Sequence, residues 1–109
     1  MHILVFYVPS THLNVVKQAL FEQGAGKLGL YDQCSWQTLG TGQFRPLEGS
    51  SPYIGEEGAV EEVEEYRVEM VVANELVEAV VTALLASHPY QTVAYHLLKT
   101  VPLEHRKPT

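Results

Sequence analysis

Five histidines and one cysteine are the side chains of this sequence best suited to binding a transition metal. They are His2, His12, His88, His96, His105 and Cys34. No pair follows the H-x-x-x-H, H-E-x-x-H or C-x-x-C spacing that places two ligands side by side. A zinc or copper site would therefore need Cys34, His88 and His96 brought together by folding, within one chain or between subunits. The alternative is that these side chains are structural or exposed.

Groups that could act as nucleophiles or as acid–base pairs show no catalytic pattern. The serines lack the G-x-S-x-G turn that exposes a nucleophile, and Cys34 has no histidine beside it. Carboxylates are plentiful, but successive ones on a strand point to opposite faces of a sheet. The sequence therefore favours a protein that is not an enzyme, with a small hydrolase kept as an alternative.

A segment rich in glycine, proline and serine, Gly40–Gly58, is the first candidate for binding a ligand. Loops of this length in small domains are usually functional or disordered, and glycine backbones can bind phosphate. Arg45 is the one basic residue in it, whereas Glu48, Glu56 and Glu57 repel anions, and the pattern is not that of a phosphate-binding loop. The segment is expected either to close over a small molecule or to be purely structural.

The sequence His88-Pro89-Tyr90 is the second candidate. A proline disfavours helical backbone in the residue before it, so this motif ends a helix, and His88 can bind the last helical carbonyls. The alternative is a contact with a ligand or a clasp between subunits. Together with the loop and the strand that follows, it supplies the candidate ligand-binding residues, which are Arg45, His88, Tyr90 and Tyr95.

Composition limits the class of protein and its partners. The 109 residues are enough for one hydrophobic core, and 46% of them are hydrophobic. A formal net charge of -6 disfavours nucleic-acid binding. One cysteine excludes an intramolecular disulfide and fits a reducing, cytoplasmic setting, and no apolar run approaches the ~20 residues of a membrane span. No organic cofactor is expected, and a divalent metal is the one cofactor left open.

Apolar periodicity predicts the elements that must position these residues. Runs of β-branched and aromatic residues indicate strands, and apolar residues three or four apart indicate helices. Gly24 and Pro89 mark the helix ends. The predicted order is strand, helix, strand, strand, helix, strand: His2–Val8, Thr11–Gln23, Tyr31–Leu39, Val63–Val72, Asn74–His88 and Thr92–Thr100, with a short strand near Gln43–Arg45 as an option.

This order predicts a ferredoxin-like βαββαβ arrangement, an α+β fold with a four-stranded antiparallel sheet and two helices on one face. Residues 1–101 would form the single domain, and residues 102–109 a polar tail that frays. The helices leave one face of the sheet uncovered, and strands one and four carry apolar residues on that face as well. Because exposed apolar faces mark interfaces, the sequence predicts a homo-oligomer.

A series of short motifs follows one order along residues 3 to 98. They are Tyr7-Val8-Pro9, Gly24-Ala25-Gly26, Gly29-Leu30-Tyr31, Cys34-Ser35-Trp36, Gly42-Gln43-Phe44-Arg45-Pro46-Leu47, Gly49-Ser50, Ile54-Gly55, Glu69, His88-Pro89-Tyr90 and Ala94-Tyr95. Taken together, they resemble the YqfO-type domain. That domain is found inserted in the dinuclear-metal-centre hexameric family, the GTP cyclohydrolase 1 type 2 homologues.

The resemblance implies a PII-like and CutA-like fold that is usually trimeric. The metal site of the larger proteins lies in flanking domains, so neither a dinuclear metal centre nor hydrolase activity is carried over. Gln91 and His96 stand where relatives favour acidic residues, and Leu30 stands where they commonly have asparagine. The expected function is a non-enzymatic, oligomeric module that binds a small ligand or a protein partner. A divalent-metal-binding, CutA-like protein is the main alternative, and a small hydrolase is the second.

Overall fold

A computed structural model describes residues 1–101, and the predicted tail, residues 102–109, lies outside the described residues. Four strands and two helices follow one another in the predicted order. A 3-10 turn precedes each helix, at Ser10–His12 and at Asn74–Leu76. The elements are β1 (His2–Pro9), α1 (Leu13–Glu22), β2 (Trp36–Phe44), β3 (Glu61–Val72), α2 (Val77–Ser87) and β4 (Tyr95–Lys99).

The sheet has the strand order β2-β3-β1-β4, and every neighbouring pair is antiparallel. The two central strands are therefore β1 and β3, and the edges are β2 and β4. In the pairing of the central strands, Leu4 lies opposite Met70 and Phe6 opposite Val68. The predicted α+β, ferredoxin-like fold with an antiparallel sheet is confirmed.

The hydrophobic core lies between the helices and one face of the sheet. Side chains alternate between the two faces of a strand, so every second residue of β1 and β3 points to the helices. Burying one such side chain contributes roughly 1.5–3 kcal/mol relative to leaving it in water. The sheet supplies Leu4, Phe6, Val8, Val68, Met70 and Val72, and the helices supply Leu13, Val16, Leu20, Val80 and Leu84.

The second strand lies later in the chain than its sequence predicts. It was expected at Tyr31–Leu39 and is found at Trp36–Phe44. The residues before it are used differently, because the Gly26 N–H donates to the Val71 carbonyl and the Gly26 carbonyl accepts from the Cys34 N–H. These bonds turn the chain back on itself and delay its entry into the sheet.

The glycine-rich segment is therefore a strand in its first part. Gly40 and Gly42 have low strand propensity and indicate a loop, yet both pair with β3, up to the pair Phe44 and Glu61. The optional short strand near Gln43–Arg45 corresponds to the end of β2, which stops at Phe44. The loop that remains runs over residues 45–60, and β4 is shorter than the predicted Thr92–Thr100.

The sheet face away from the helices is partly apolar. Val5 is buried there even within one chain, whereas Trp36 and Leu98 are 58% and 53% exposed. Arg67 and Glu69, which form an ion pair of 3.7 Å, also lie on this face. Among the described residues, no helix is long and apolar enough to cross a membrane.

Candidate functional site

A cavity of about 600 Å³ lies where β1 and β2 end. It is bounded by the sheet on one side, by the loop over residues 45–54 on another, and by the segment over residues 90–94 that leads into β4. Its walls are formed by Tyr7, Gln43, Phe44, Arg45, Pro46, Leu47, Ser50, Pro52, Tyr53, Ile54, Glu65, Tyr90, Gln91, Thr92 and Ala94. Most of these are apolar or aromatic, and one is a cation and one a carboxylic acid.

His88 holds the segment behind the cavity in place. It follows α2 directly, and its backbone N–H donates to the Leu84 carbonyl, which ends the helix. Its ring lies 2.7 Å through Nε2 from the carbonyl oxygen of Tyr7, and its Nδ1 lies 3.1 Å from the backbone nitrogen of Tyr90. The carbonyl can only accept and the amide can only donate, so the ring is neutral with its proton on Nε2.

The protonation state of His88 follows from its burial. The side chain is 6% exposed, and this desolvation lowers its pKa from the ordinary value for histidine. The hydrogen bond to the Tyr7 carbonyl opposes the shift, and the positive field of His12 adds to it. The neutral ring is hydrogen-bonded at both nitrogens and therefore connects β1 to the segment that carries Tyr90.

Tyr90 is the centre of an aromatic cluster. Its ring packs edge-on against His88 with the ring centres 4.8 Å apart, and it is tilted against Phe44 at 6.2 Å and Tyr53 at 6.4 Å. Its hydroxyl donates to Oε2 of Glu65 over 3.3 Å. Burial, with the adjacent Glu65, raises the pKa of Tyr90 to about 12.

Glu65 places its carboxyl group in the wall of the cavity because Gly42, which lies diagonally to it in β2, has no side chain. A β-carbon on Gly42 would occupy the space that the Glu65 carboxyl group fills. Partial burial raises the pKa of Glu65, and the hydrogen bond from Tyr90 opposes that rise. A carboxyl group held in this way can accept a hydrogen bond or pair with a cation.

The loop over the cavity is tied to itself and to the opposite wall. The Gly58 N–H donates to the Pro46 carbonyl over 2.7 Å and closes the base of the loop. The Ser51 N–H donates to Oε1 of Gln91 over 2.8 Å, across the cavity. The Tyr53 ring meets His12 edge-on with the ring centres 5.6 Å apart.

The four predicted ligand-binding residues have different positions. Arg45 lies exposed on the rim of the cavity, and Tyr90 lies in its wall. His88 lies behind Tyr90 and is not part of the lining. Tyr95 pairs with Phe6 and packs against the hydrophobic core, away from the cavity.

The three predicted metal-binding residues do not come together in one chain. Cys34 lies in the connection before β2, where its thiol makes a weak contact with the Asp32 carbonyl. His96 lies in β4, with its ring edge-on to Tyr7 at 6.5 Å, and both ring nitrogens of His88 are bonded to the backbone. Within residues 1–101, no three His, Cys, Asp or Glu side chains are grouped to hold a metal ion.

Four residues in the cavity lining are not among the individually predicted ligand-binding residues: Tyr7, Phe44, Tyr53 and Glu65. Phe44 and Tyr53 do lie in the Gly40–Gly58 segment that the sequence indicates as a candidate. A usable signal was present for two of them. Tyr7 interrupts an apolar strand, and Phe44 stands alone as a large apolar residue among glycines and polar residues. Glu65 follows several other glutamates in residues 56–65, and nothing in its sequence context separates it from them.

Several curated proteins are similar to this chain in sequence. The GTP cyclohydrolase 1 type 2 homologue of Mycobacterium leprae is 47% identical over 98 residues, which cover 90% of this chain and 26% of that protein. The homologue of Bacillus subtilis is 43% identical over 94 residues, or 86% of this chain and 25% of that protein. The chain thus spans about a quarter of the length of these relatives. No family model matches the chain.

Solved structures are also similar to this chain. A Bacillus cereus protein related to NIF3 aligns with a TM-score of 0.77 and 38% identity over 95% of this chain and 26% of that chain. CutA of Pyrococcus horikoshii aligns with a TM-score of 0.67 and 19% identity over 95% of this chain and 88% of that chain. The latter likeness shows the fold alone. The resemblance to the YqfO-type domain is confirmed.

Proposed function

We propose that this chain is a non-enzymatic module that binds a small organic molecule. It is similar in sequence to a segment that makes up about a quarter of the GTP cyclohydrolase 1 type 2 homologues. The observation that carries the proposal is the cavity of about 600 Å³ between the loop and the segment before β4. Pockets of about 300–1,000 Å³ with apolar walls and a few polar groups are typical of small-molecule sites.

The arrangement of the walls supports this function. Tyr90 is fixed at both ends, by His88 at its backbone and by Glu65 at its hydroxyl. Side chains that are held before the ligand arrives lose little conformational freedom on binding. Arg45 at the rim adds a charged group that can select among ligands.

We propose further that copies of the chain associate through the sheet face away from the helices. The exposed apolar side chains of Trp36 and Leu98 on that face support this association. A trimer is the expected assembly, and the cytoplasm is the expected compartment. The divalent-metal alternative has less support, because its three candidate ligands lie apart within one chain.

The test is a fragment screen by amide NMR on the full chain. Fragments that enter the cavity should shift the amide signals of Ser51, Tyr90 and Gln91, which flank it. Tyr90→Ala should weaken the same fragments about tenfold or more, because it removes a wall of the cavity. Tyr31→Ala is the matched control, since Tyr31 is 75% exposed in the connection before β2.

Two results would contradict the proposal. The first is a screen in which no fragment shifts the cavity amides. The second is a screen in which Tyr31→Ala weakens binding as much as Tyr90→Ala does. Native mass spectrometry of the same sample tests the assembly, and a strictly monomeric chain would overturn that part of the proposal.

A further inference from the structure

We propose that the cavity is selective for organic cations, specifically for an alkylated ammonium group, which would be held between its aromatic rings and the carboxylate of Glu65. This inference rests on the proposed function, because it names the class of molecule that the same cavity binds. It goes further by stating a charge and the residues that recognise it.

The aromatic rings are the first support. Tyr7, Phe44, Tyr53 and Tyr90 all line the cavity. The Phe44 and Tyr53 rings are tilted by 50° and 45° against Tyr90, with their centres 6.2 Å and 6.4 Å from its own, within the range of aromatic pairs. The faces of such rings carry partial negative charge, so several rings around one space attract a cation.

The carboxyl group of Glu65 is the second support. It is the one acidic side chain in the lining, and it accepts a hydrogen bond from the Tyr90 hydroxyl. That bond draws the Tyr90 proton towards the carboxylate and makes the Tyr90 ring richer in electrons. The two groups therefore favour a cation together.

The surrounding charges are the third support. Arg45 is the one basic side chain in the lining, and it is exposed on the rim, where solvent screens it. Glutamates outnumber basic residues in the loop and make up most of the adjoining start of β3, and the whole chain carries a net charge of -6. The field at the cavity therefore attracts a positive ligand and repels an anion.

The experiment compares two probes of the same shape, choline and 3,3-dimethylbutan-1-ol, by calorimetric titration at one fixed salt concentration. They differ in that a charged nitrogen replaces a quaternary carbon. Choline should bind about tenfold more tightly or better, because the neutral probe gains only the hydrophobic contact. A peptide containing trimethyl-lysine forms a third arm, and it distinguishes a free cation from one carried on a protein.

Matched variants assign the preference to named residues. Glu65→Gln should remove most of the preference for choline while the neutral probe binds as before. Glu62→Gln removes the same charge from the same strand, but Glu62 does not line this cavity, so the preference should persist. Tyr53→Leu keeps an apolar wall and should weaken choline about threefold to tenfold more than the neutral probe.

Three outcomes would overturn the inference: no binding of choline, equal binding of the two probes, or an equal loss of preference in Glu62→Gln and Glu65→Gln. Tight binding of the trimethyl-lysine peptide with weak choline binding would support selectivity for an alkylated ammonium group. It would indicate that the group is carried by a protein partner and is not a free small molecule. If the neutral probe or the screened fragments still bind, the proposed function stands without this inference. If nothing binds, both fail.

Discussion

The chain leaves each helix by a different route, although both routes lead to an edge strand. After α1, residues 23–35 are held by backbone bonds, from Gly26 to Val71 and from Cys34 to Gly26. After α2, residues 88–94 are held by side chains, from His88 to Tyr7 and from Tyr90 to Glu65. The first connection does not contribute to the lining of the cavity, whereas the second forms one of its walls. The two connections thus differ in what holds them, and only the one held by side chains contributes to the lining of this cavity.

The largest expected effect on stability comes from a substitution that breaks the second connection alone. His88→Ala removes the side-chain partner of the part-buried Tyr7 carbonyl and Tyr90 N–H together with a buried ring, so the free energy of unfolding should fall by about 2–4 kcal/mol. Cys34→Ala should change it by less than about 1 kcal/mol, because the residue holds the first connection through its backbone N–H. Urea unfolding of both variants measures the difference, and similar losses would contradict the comparison.

The next largest effect on stability comes from a substitution that disturbs the backbone of the first connection. Gly26 has φ of 80°, and a β-carbon there would lie 2.8 Å from the Cys34 carbonyl oxygen, so Gly26→Ala should cost about 2–3 kcal/mol. Gly29→Ala is the control, because its φ is 59° and no atom lies within 4 Å of the added carbon. It should cost about 1 kcal/mol. Thermal unfolding checks both, and equal costs would show that the close approach is unimportant.

The smallest effect is a dependence of stability on pH that only the second connection should show. The pKa of His88 is lowered in the folded state, so below the unfolded value of about 6.5 the unfolded chain binds more protons. Stability should therefore fall as the pH drops from about 7.5 through 6.5, until the folded pKa is reached. The raised pKa of Glu65 acts in the opposite sense, with stability lost as the pH rises above its unfolded value.

Urea unfolding at several pH values measures this dependence. The slope near pH 6 should disappear in His88→Ala and persist in Glu65→Gln. Persistence of the slope in His88→Ala would assign it to another group, and the neutral tautomer described for His88 would lose its support.

The fold could be predicted from the sequence where packing and periodicity agree. Leu4, Phe6 and Val8 alternate in β1, and Val16 and Leu20 repeat along α1, so these elements are recognisable without a structure. The position of β2 could not be predicted in this way. Gly40 and Gly42 oppose a strand locally, and only the register with β3 overrides that preference.

The candidate site shows the same limit more strongly. Arg45 and Tyr90 stand in segments whose proline and glycine content indicates loops, so sequence reasoning could select them. Glu65 reaches the cavity because Gly42 leaves room beside it, which depends on the pairing of two strands. The role of His88 depends on a carbonyl 81 positions away. Contacts of this kind have no local signature.

The position of β1 at the centre of the sheet has a consequence for biosynthesis. The strand precedes both of its partners in the chain, since β3 begins at Glu61 and β4 at Tyr95. An emerging chain must therefore hold its most apolar strand without a partner until β3 has been synthesised. Partners so distant along the chain also favour slow folding. A pause in translation before β3 would prolong this vulnerable period, whereas a pause after β3 would leave only the β4 edge open.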